Sequence, residues 1–532
     1  MTQHPGSEPM THKPTQPGLN LPLRTMALSS VAALCLPLLA LAQTSALPDP
    51  DQAAPARPDA WIEPRVAIGL TLSNNSNLSR LNPQSEQALD VRPGLRVLMN
   101  RPRLQGFLDY SLSHRHHVQG TAGDGLRHEL NASATLQAWD QRAFVDLSGV
   151  VADQSVSALG LQSVGRLTDA NRSQTASFGF SPYFRGQIAA LADYELRYRL
   201  RSTRTETAQR SDVDVQELAL RLDSRQTGSP LGWSLDASLQ EVEHSLGRRT
   251  EADAVRANLI YSVSPQLRLS LQAGVESNDV LTLTRQSYQN TGLGLDWRPS
   301  TRTRVALDLQ QRYFGSAHSL LLEHRSRRTV WRFSDTRSAV NSPLEATTAS
   351  LGSLYDLLDR LYVGVEPDPI RRAQRVQSEL NRLGLPANLS VHQSFLSSSA
   401  MLQRNQQLSV AWLGVRGIVT LTAAQGRSSR LSPAIRLGDD FDRHSSIRQR
   451  SWSASYAHRL TPLTSISTTL ESQRAQGSNL ALQSRSRSLT LGLASQLGLR
   501  TSAHLQLRRT LSDGAAASAQ ETAVAGLLTH RF

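Results

Sequence analysis

Cysteine is nearly absent from this chain of 532 residues: Cys35 is the only one. It lies inside the one long apolar run, "MALSSVAALCLPLLALAQ" at residues 26–43. A lipid-modified cysteine needs a small residue before it, and Leu34 stands there, which argues against lipidation. Downstream there is no thiol, so disulfides and cysteine-based metal sites are excluded. Lysine is equally scarce, with Lys13 alone, and the net charge of +13 is carried by arginine, which stays protonated. Aromatic residues make up 5% of the chain. Further apolar runs are missing too, and a bundle of membrane helices needs about 20 apolar residues for each span.

The single run reads as the core of a cleavable signal peptide. Lys13 and Arg24 precede it, and Ala40-Leu41-Ala42 supplies a small-x-small cleavage site before Gln43. Pro37 and the short core argue against an anchoring helix. Residues 1–42 are therefore expected to be a signal with a polar extension, with Met10 and Met26 as alternative starts. Residues 43–60 are a Pro/Ala/Asp-rich linker without periodicity.

From Trp61 onward the chain alternates. In "ADYELRYRLR" (192–201), Tyr194, Leu196, Tyr198 and Leu200 fall on one face and Glu195, Arg197, Arg199 and Arg201 on the other. The runs "QLRLSLQAGV" (266–275) and "SLTLGLASQL" (488–497) repeat the period, the latter with Leu489, Leu491 and Leu493 in phase. Runs of this kind start near residues 61, 88, 103, 126, 141, 172, 187, 213, 231, 252, 266, 286, 302, 318, 328, 405, 415, 447, 463, 484, 499 and 520. Long and short links alternate between them, as outward loops and periplasmic turns do in transmembrane barrels. Gly315–Ala317 is the weak place, a tight link where parity requires an outer loop.

The chain finishes "TAVAGLLTHRF", with Val524, Leu528 and Phe532 in phase. A last strand ending in phenylalanine resembles the assembly signal of Gram-negative outer-membrane barrels, although His530 departs from the usual pattern. The expectation is an all-β fold: one transmembrane barrel of 22 antiparallel strands over 61–532, in the outer membrane, with tyrosines toward lipid and charge toward the lumen. One block, 340–404, breaks the period. Leu354, Leu357, Leu358 and Leu361 have helical spacing. In "PDPIRRAQRVQSELNRLGLP" (367–386), Asp368 is an N-cap, Pro369 a first helical residue, and Gly384 with Pro386 a stop. The block reads as a helical loop insertion able to fold inward as a plug.

Several stretches carry a family resemblance: "WIEPRVAIGLTLSNNSNLSR", "VRPGLRVLMNRPRLQGFLDYSLSHRHH", "LRHELNASATLQAWDQRAFVDLSGVVADQSVS", "DPIRRAQRVQSEL" and "LQRNQQLSVAWLGVRGIVTLTAAQ". Over most of the chain past Trp61 they resemble the PEP-CTERM system-associated outer-membrane proteins, found beside exosortase and exopolysaccharide genes. The resemblance implies a role in surface polysaccharide production or export, and assigns no functional residue.

Chemistry-bearing constellations are sparse. His114 and His116 in "SHRHH", with His128 across the loop, are candidate zinc or copper ligands or ordinary rim residues. "DDFD" (439–442) offers carboxylates for calcium or for solvent. No GxSxG, HExxH or phosphate-loop motif occurs, so catalytic residues and cofactors are not expected. Arg197, Arg199, Arg221, Arg268 and Arg312 fall on the non-lipid face and are expected to line the lumen and favour anions. The expected partners are outer-membrane lipid, the barrel-assembly machinery, and an acidic polysaccharide or polysaccharide-export proteins. Nucleic acid is not expected, because the arginines alternate along strands instead of clustering. The reading favoured is a conduit or accessory for exopolysaccharide. A general or anion-selective porin is the alternative, then a structural or enzymatic barrel with a closed lumen.

Overall fold

The computed structural model describes residues 60–532 except 121–123, 161–170, 208–210, 226–227, 341–353, 364–365, 367–368, 384–394, 398–399, 434–437, 480–482 and 515–517. The expected signal peptide and all but the last residue of the linker lie outside the described residues, as do Asp368, Gly384 and Pro386.

The first strands are β1 (Ala60–Ser73), β2 (Glu86–Arg101), β3 (Leu104–His117), β4 (Gly125–Trp139), β5 (Ala143–Ser155), β6 (Arg172–Ile188) and β7 (Ala192–Thr205). Next come β8 (Val213–Ser224), β9 (Leu231–His244), β10 (Thr250–Ser264) and β11 (Leu267–Asn278). They are followed by β12 (Gln286–Ser300), β13 (Thr303–Arg312), β14 (Gly315–Arg325) and β15 (Thr329–Val340). Helices α1 (Leu354–Tyr362) and α2 (Pro369–Leu383) intervene before β16 (Met401–Leu413) and β17 (Gly417–Arg430). The chain ends with β18 (Ser446–Arg459), β19 (Thr464–Gly477), β20 (Gln483–Gln496), β21 (Thr501–Asp513) and β22 (Ser518–Arg531). Each strand is antiparallel to the next, and β22 pairs with β1, so the 22-stranded sheet closes. The alternation located every strand; the largest offset is at β7, expected at 187 and starting at Ala192.

Closure is what permits this chain to sit in lipid, because every strand finds backbone partners on both sides. The outward face carries the apolar payload: Ile68, Leu70, Phe178, Phe180, Leu259, Leu271, Leu293, Trp452 and Leu505 are all exposed. In β7, Leu196 and Leu200 are exposed on that face with Tyr194 and Tyr198 in phase, as expected. Tight turns gather at one end, between Arg101 and Leu104, Ser264 and Leu267, and Ser300 and Thr303. The long links Ser73–Glu86, Ser155–Arg172, Val340–Met401 and Arg430–Ser446 gather at the other. The first end is periplasmic and the second outer. The link from Arg312 to Gly315 is tight despite lying at the outer end, and Gly315 turns there with φ +94, a backbone conformation costly for other residues.

The C-terminal strand seals the ring. Leu528 lies opposite Ile68, Val524 opposite Leu72, and the Phe532 amide donates to the Pro64 carbonyl at 3.0 Å. Val524, Leu528 and Phe532 are exposed on the outer wall, with the His530 ring edge-on to Phe532 at 4.9 Å.

Candidate functional site

The insertion between β15 and β16 leaves and returns at the outer end, yet its helices pack at the periplasmic end. Leu357, Leu358, Leu361 and Tyr362 of α1 and Val376, Leu380 and Leu383 of α2 form one buried cluster with Val330, Ala411, Ile418 and Ala457. Those four wall residues lie near the periplasmic ends of β15, β16, β17 and β18 and point inward. The two apolar stripes thus cover each other and the wall. Burying a leucine is worth about 1.5–3 kcal/mol, so several together hold the hairpin in place.

Polar contacts fix its orientation. Ser465 donates to the Arg382 carbonyl at 2.6 Å, and the Arg382 guanidinium donates to the Pro462 carbonyl at 2.9 Å, in the turn before β19. Arg360 pairs with Glu323 at the periplasmic end of β14. Arg372 joins the helices through Asp359 at 2.8 Å, and its guanidinium reaches the Glu366 carbonyl at 3.1 Å.

The outer mouth is crossed as well. β5 and β17 stand on opposite sides of the ring, since the strands follow chain order around it. Even so, Ser157 and the Ala158 amide, just past β5, donate to Asp440 at 2.7 and 2.8 Å. Ser484 at the start of β20 donates to the Gly160 carbonyl at 3.0 Å. The returning limb of the insertion joins this crossbar: the Leu396 amide donates to the Ser155 carbonyl at 2.9 Å, and Phe395 packs 5.8 Å from Phe441. Ala158, Phe395, Met401, Phe441, Ile447 and Ala475 form its buried apolar centre. The insertion therefore contacts both ends of the lumen.

The "DDFD" carboxylates belong to this crossbar and not to a calcium site. Asp439 accepts from the Phe441 amide at 3.0 Å and from Arg430 at 2.8 Å, and Asp442 accepts from Arg430 at 2.9 Å. Protein donors thus engage their oxygens.

The five arginines selected from the alternation all sit on strand faces turned to the lumen, but most are neutralised. Arg197 pairs with Asp146 at 2.6 Å and Glu195 at 2.8 Å, and lies 3.8 Å over the Tyr183 ring. Arg199 pairs with Glu217 at 2.9 Å, Arg221 with Asp223 at 2.7 Å, and Arg312 with Glu276 at 2.8 Å. Arg268 stands opposite Asp296 across the β11–β12 register and is exposed. A strongly positive lumen is thus not what this wall presents. From β16 to β21 much of the inward face is small and hydroxyl-bearing, with Thr420, Ser451, Ser453, Ser467, Ser484 and Ser486 buried there, and Glu471 and the Arg508–Glu521 pair add charge to it.

The charge assignment needs correction on these same strands. Arg427, Arg448, Arg450, Arg485 and Arg487 point outward, in phase with the lipid-facing Leu421, Trp452, Leu489 and Leu491. Above the apolar belt both faces meet a polar medium, so polarity no longer reports which side is the lumen. The phase of Arg485 and Arg487 with Leu489 was the available signal.

The histidines do not gather into a ligand set. His114 and His116 lie opposite the exposed Val91 and Leu89, hence on the outer wall. His116 meets Asp124 at 2.7 Å, while His128 meets the Tyr110 hydroxyl at 2.9 Å. Among the described residues no group of three or more His, Cys, Asp or Glu side chains is placed to hold a metal.

No protein-family model and no curated protein matches the chain. Among solved structures it is similar to the siderophore receptor PirA from Acinetobacter baumannii, at 8% identity and a TM-score of 0.47, over 88% of this chain and 80% of that one. The FrpB iron transporter from Neisseria meningitidis gives 8% and 0.48 over 88% and 81%. OprD from Pseudomonas aeruginosa gives 9% and 0.29 over 88% and 95%. These likenesses are distant. The closed sheet, the apolar outer wall and the asymmetry of its links make this chain, on its own geometry, a 22-stranded outer-membrane β-barrel.

Proposed function

We propose that this barrel is a gated conduit or accessory for a surface exopolysaccharide, the role its resemblance to the PEP-CTERM system-associated proteins implies. The observation that supports this most is the insertion, whose helices pack on the periplasmic lumen wall while its returning limb joins the outer crossbar. An insertion that reaches both ends of the lumen is more than a porin for small solutes requires. A polymer conduit needs a passage that stays blocked until the polymer engages. The serine- and threonine-rich inner wall of β16–β21 suits a hydroxyl-rich chain, offering many hydrogen bonds and few fixed charges. Polysaccharide-export proteins on the periplasmic side are the partners this reading calls for.

Deleting the gene tests it. Loss of surface polysaccharide with unchanged small-solute uptake is expected. Unchanged polysaccharide with impaired uptake would favour the porin reading instead.

A further inference from the structure

The outer wall of β15–β20 carries arginines in rows. Arg337 lies directly opposite Arg404, Arg404 opposite Arg427, and Arg427 opposite Arg448, so four guanidinium side chains share one rung across four strands. A second rung places Arg450 opposite Arg474 and Arg474 opposite Arg485. Like charges directly opposite one another destabilise a sheet. Nothing within the barrel wall removes most of this cost. Asp335 accepts from Arg404 at 2.6 Å but also from His318 and Gln406. Arg427 and Arg448 have no ion-pair partner among the described residues. Arg404, Arg427 and Arg448, with Gln406 and Gln425, line a cavity of about 160 Å³. Further toward the periplasm, past an outward rung of Asp335, Gln406, Gln425 and Arg450, the outward face turns apolar with Phe333, Leu408 and Trp452.

We propose that this surface binds the phosphates of an outer-leaflet glycolipid. Guanidinium groups take phosphate oxygens through paired charge-assisted hydrogen bonds, and anionic headgroups gather where arginines meet the membrane surface. The vertical order of the wall selects a lipid over a soluble anion. A phosphorylated headgroup seated in the Arg404–Arg427–Arg448 cavity leaves its acyl chains against Leu408 and Trp452. An acidic polysaccharide would use the arginines and leave the apolar step below them unused.

The full-length barrel in phosphatidylcholine nanodiscs doped with lipid A, the phosphorylated diglucosamine glycolipid, provides the test. Native mass spectrometry is expected to find lipid A retained by the wild type and reduced about tenfold in R427Q/R448Q. The R427K/R448K pair should recover part of the retention, since lysine keeps the charge but not the fork. Dephosphorylated lipid A should not distinguish wild type from R427Q/R448Q. Heat-modifiable gel migration checks that each variant folds, and R448Q alone carries the same comparison should the pair fail. Equal lipid A retention by wild type and R427Q/R448Q would overturn the proposal. So would displacement by millimolar inorganic phosphate, which marks a small-anion site, or displacement by a soluble acidic polysaccharide.

Discussion

The outer rims of β8–β10 and of β15–β18 occupy the same level of one barrel and handle charge in opposite ways. On the first, acids face each other across the strands: Asp214 stands opposite Glu243, and Glu241 opposite Glu251. Cations close that cluster from within the chain. Arg204 reaches Asp214 at 2.8 Å, Arg249 reaches Glu241 at 2.7 Å, and Arg285 pairs with Asp253. On the second, Asp335 is the one carboxylate among the described residues that pairs with the stacked arginines, which leaves them open to counter-charge from outside the chain. Ion-paired exposed clusters contribute little to stability, about 0–1 kcal/mol per pair, but they are self-sufficient. The arginine rungs are not, and that dependence separates a wall that merely tolerates its surroundings from one that recruits them.

The inner walls differ in the reverse sense. Toward β5–β8 the lumen carries paired charges and a stack of Arg185, Phe144, Tyr183 and Arg197, with ring centroids of Phe144 and Tyr183 5.0 Å apart. Toward β15–β20 it is richer in small hydroxyl side chains, and the hairpin covers its periplasmic end. Removing residues 345–400 strips one side of this comparison and should have the largest effect, a severalfold rise in planar-bilayer conductance. Unchanged conductance would mean that the insertion does not restrict the passage. A milder break is Leu358→Asp, which places an unpaired charge in the buried cluster. Leucine truncation at such sites already costs about 2–5 kcal/mol, so the hairpin should undock and conductance approach that of the deletion. Unchanged heat-modifiable migration would localise the loss to the hairpin.

Charge reversal sharpens the comparison within the lumen. In the barrel lacking 345–400, Arg268→Glu should lower anion preference more than Arg221→Glu, because Arg221 is already paired with Asp223 at 2.7 Å. Equal shifts in reversal potential would show that pairing does not govern selectivity. The smallest effect is at the outer loop between β3 and β4. Asp124 accepts from the His117 amide and from His116, which holds its carboxyl below the usual range. A depressed carboxyl stabilises this loop above the ordinary carboxylate pKa and loses that contribution as pH falls. Hydrogen exchange at the His117 amide should therefore reveal loosening in acid after correction for intrinsic exchange, and protection that does not weaken there would refute the role of Asp124.

Most of the barrel was legible because period-two alternation and the length of links are local properties. Leu357, Leu358 and Leu361 announced an amphipathic helix, and Pro369 stands at the start of α2 as expected. The destination of those helices was not legible. It depends on Val330, Ala411, Ile418 and Ala457, which are brought together only when four strands align. The arginine rungs were half visible. Each strand shows its own phase, but the coincidence of Arg337, Arg404, Arg427 and Arg448 on one rung is a fact of register between strands. The DDFD carboxylates were visible as a cluster, whereas Asp440's partner Ser157 lies far away in the chain.

The hairpin is tied at both ends to the outer rim while it rests at the periplasmic mouth. The same insertion places Phe395 and Leu396 in the outer crossbar and α1 and α2 on the periplasmic wall. One stretch of chain therefore carries contacts at both mouths, and losing it would alter the two together.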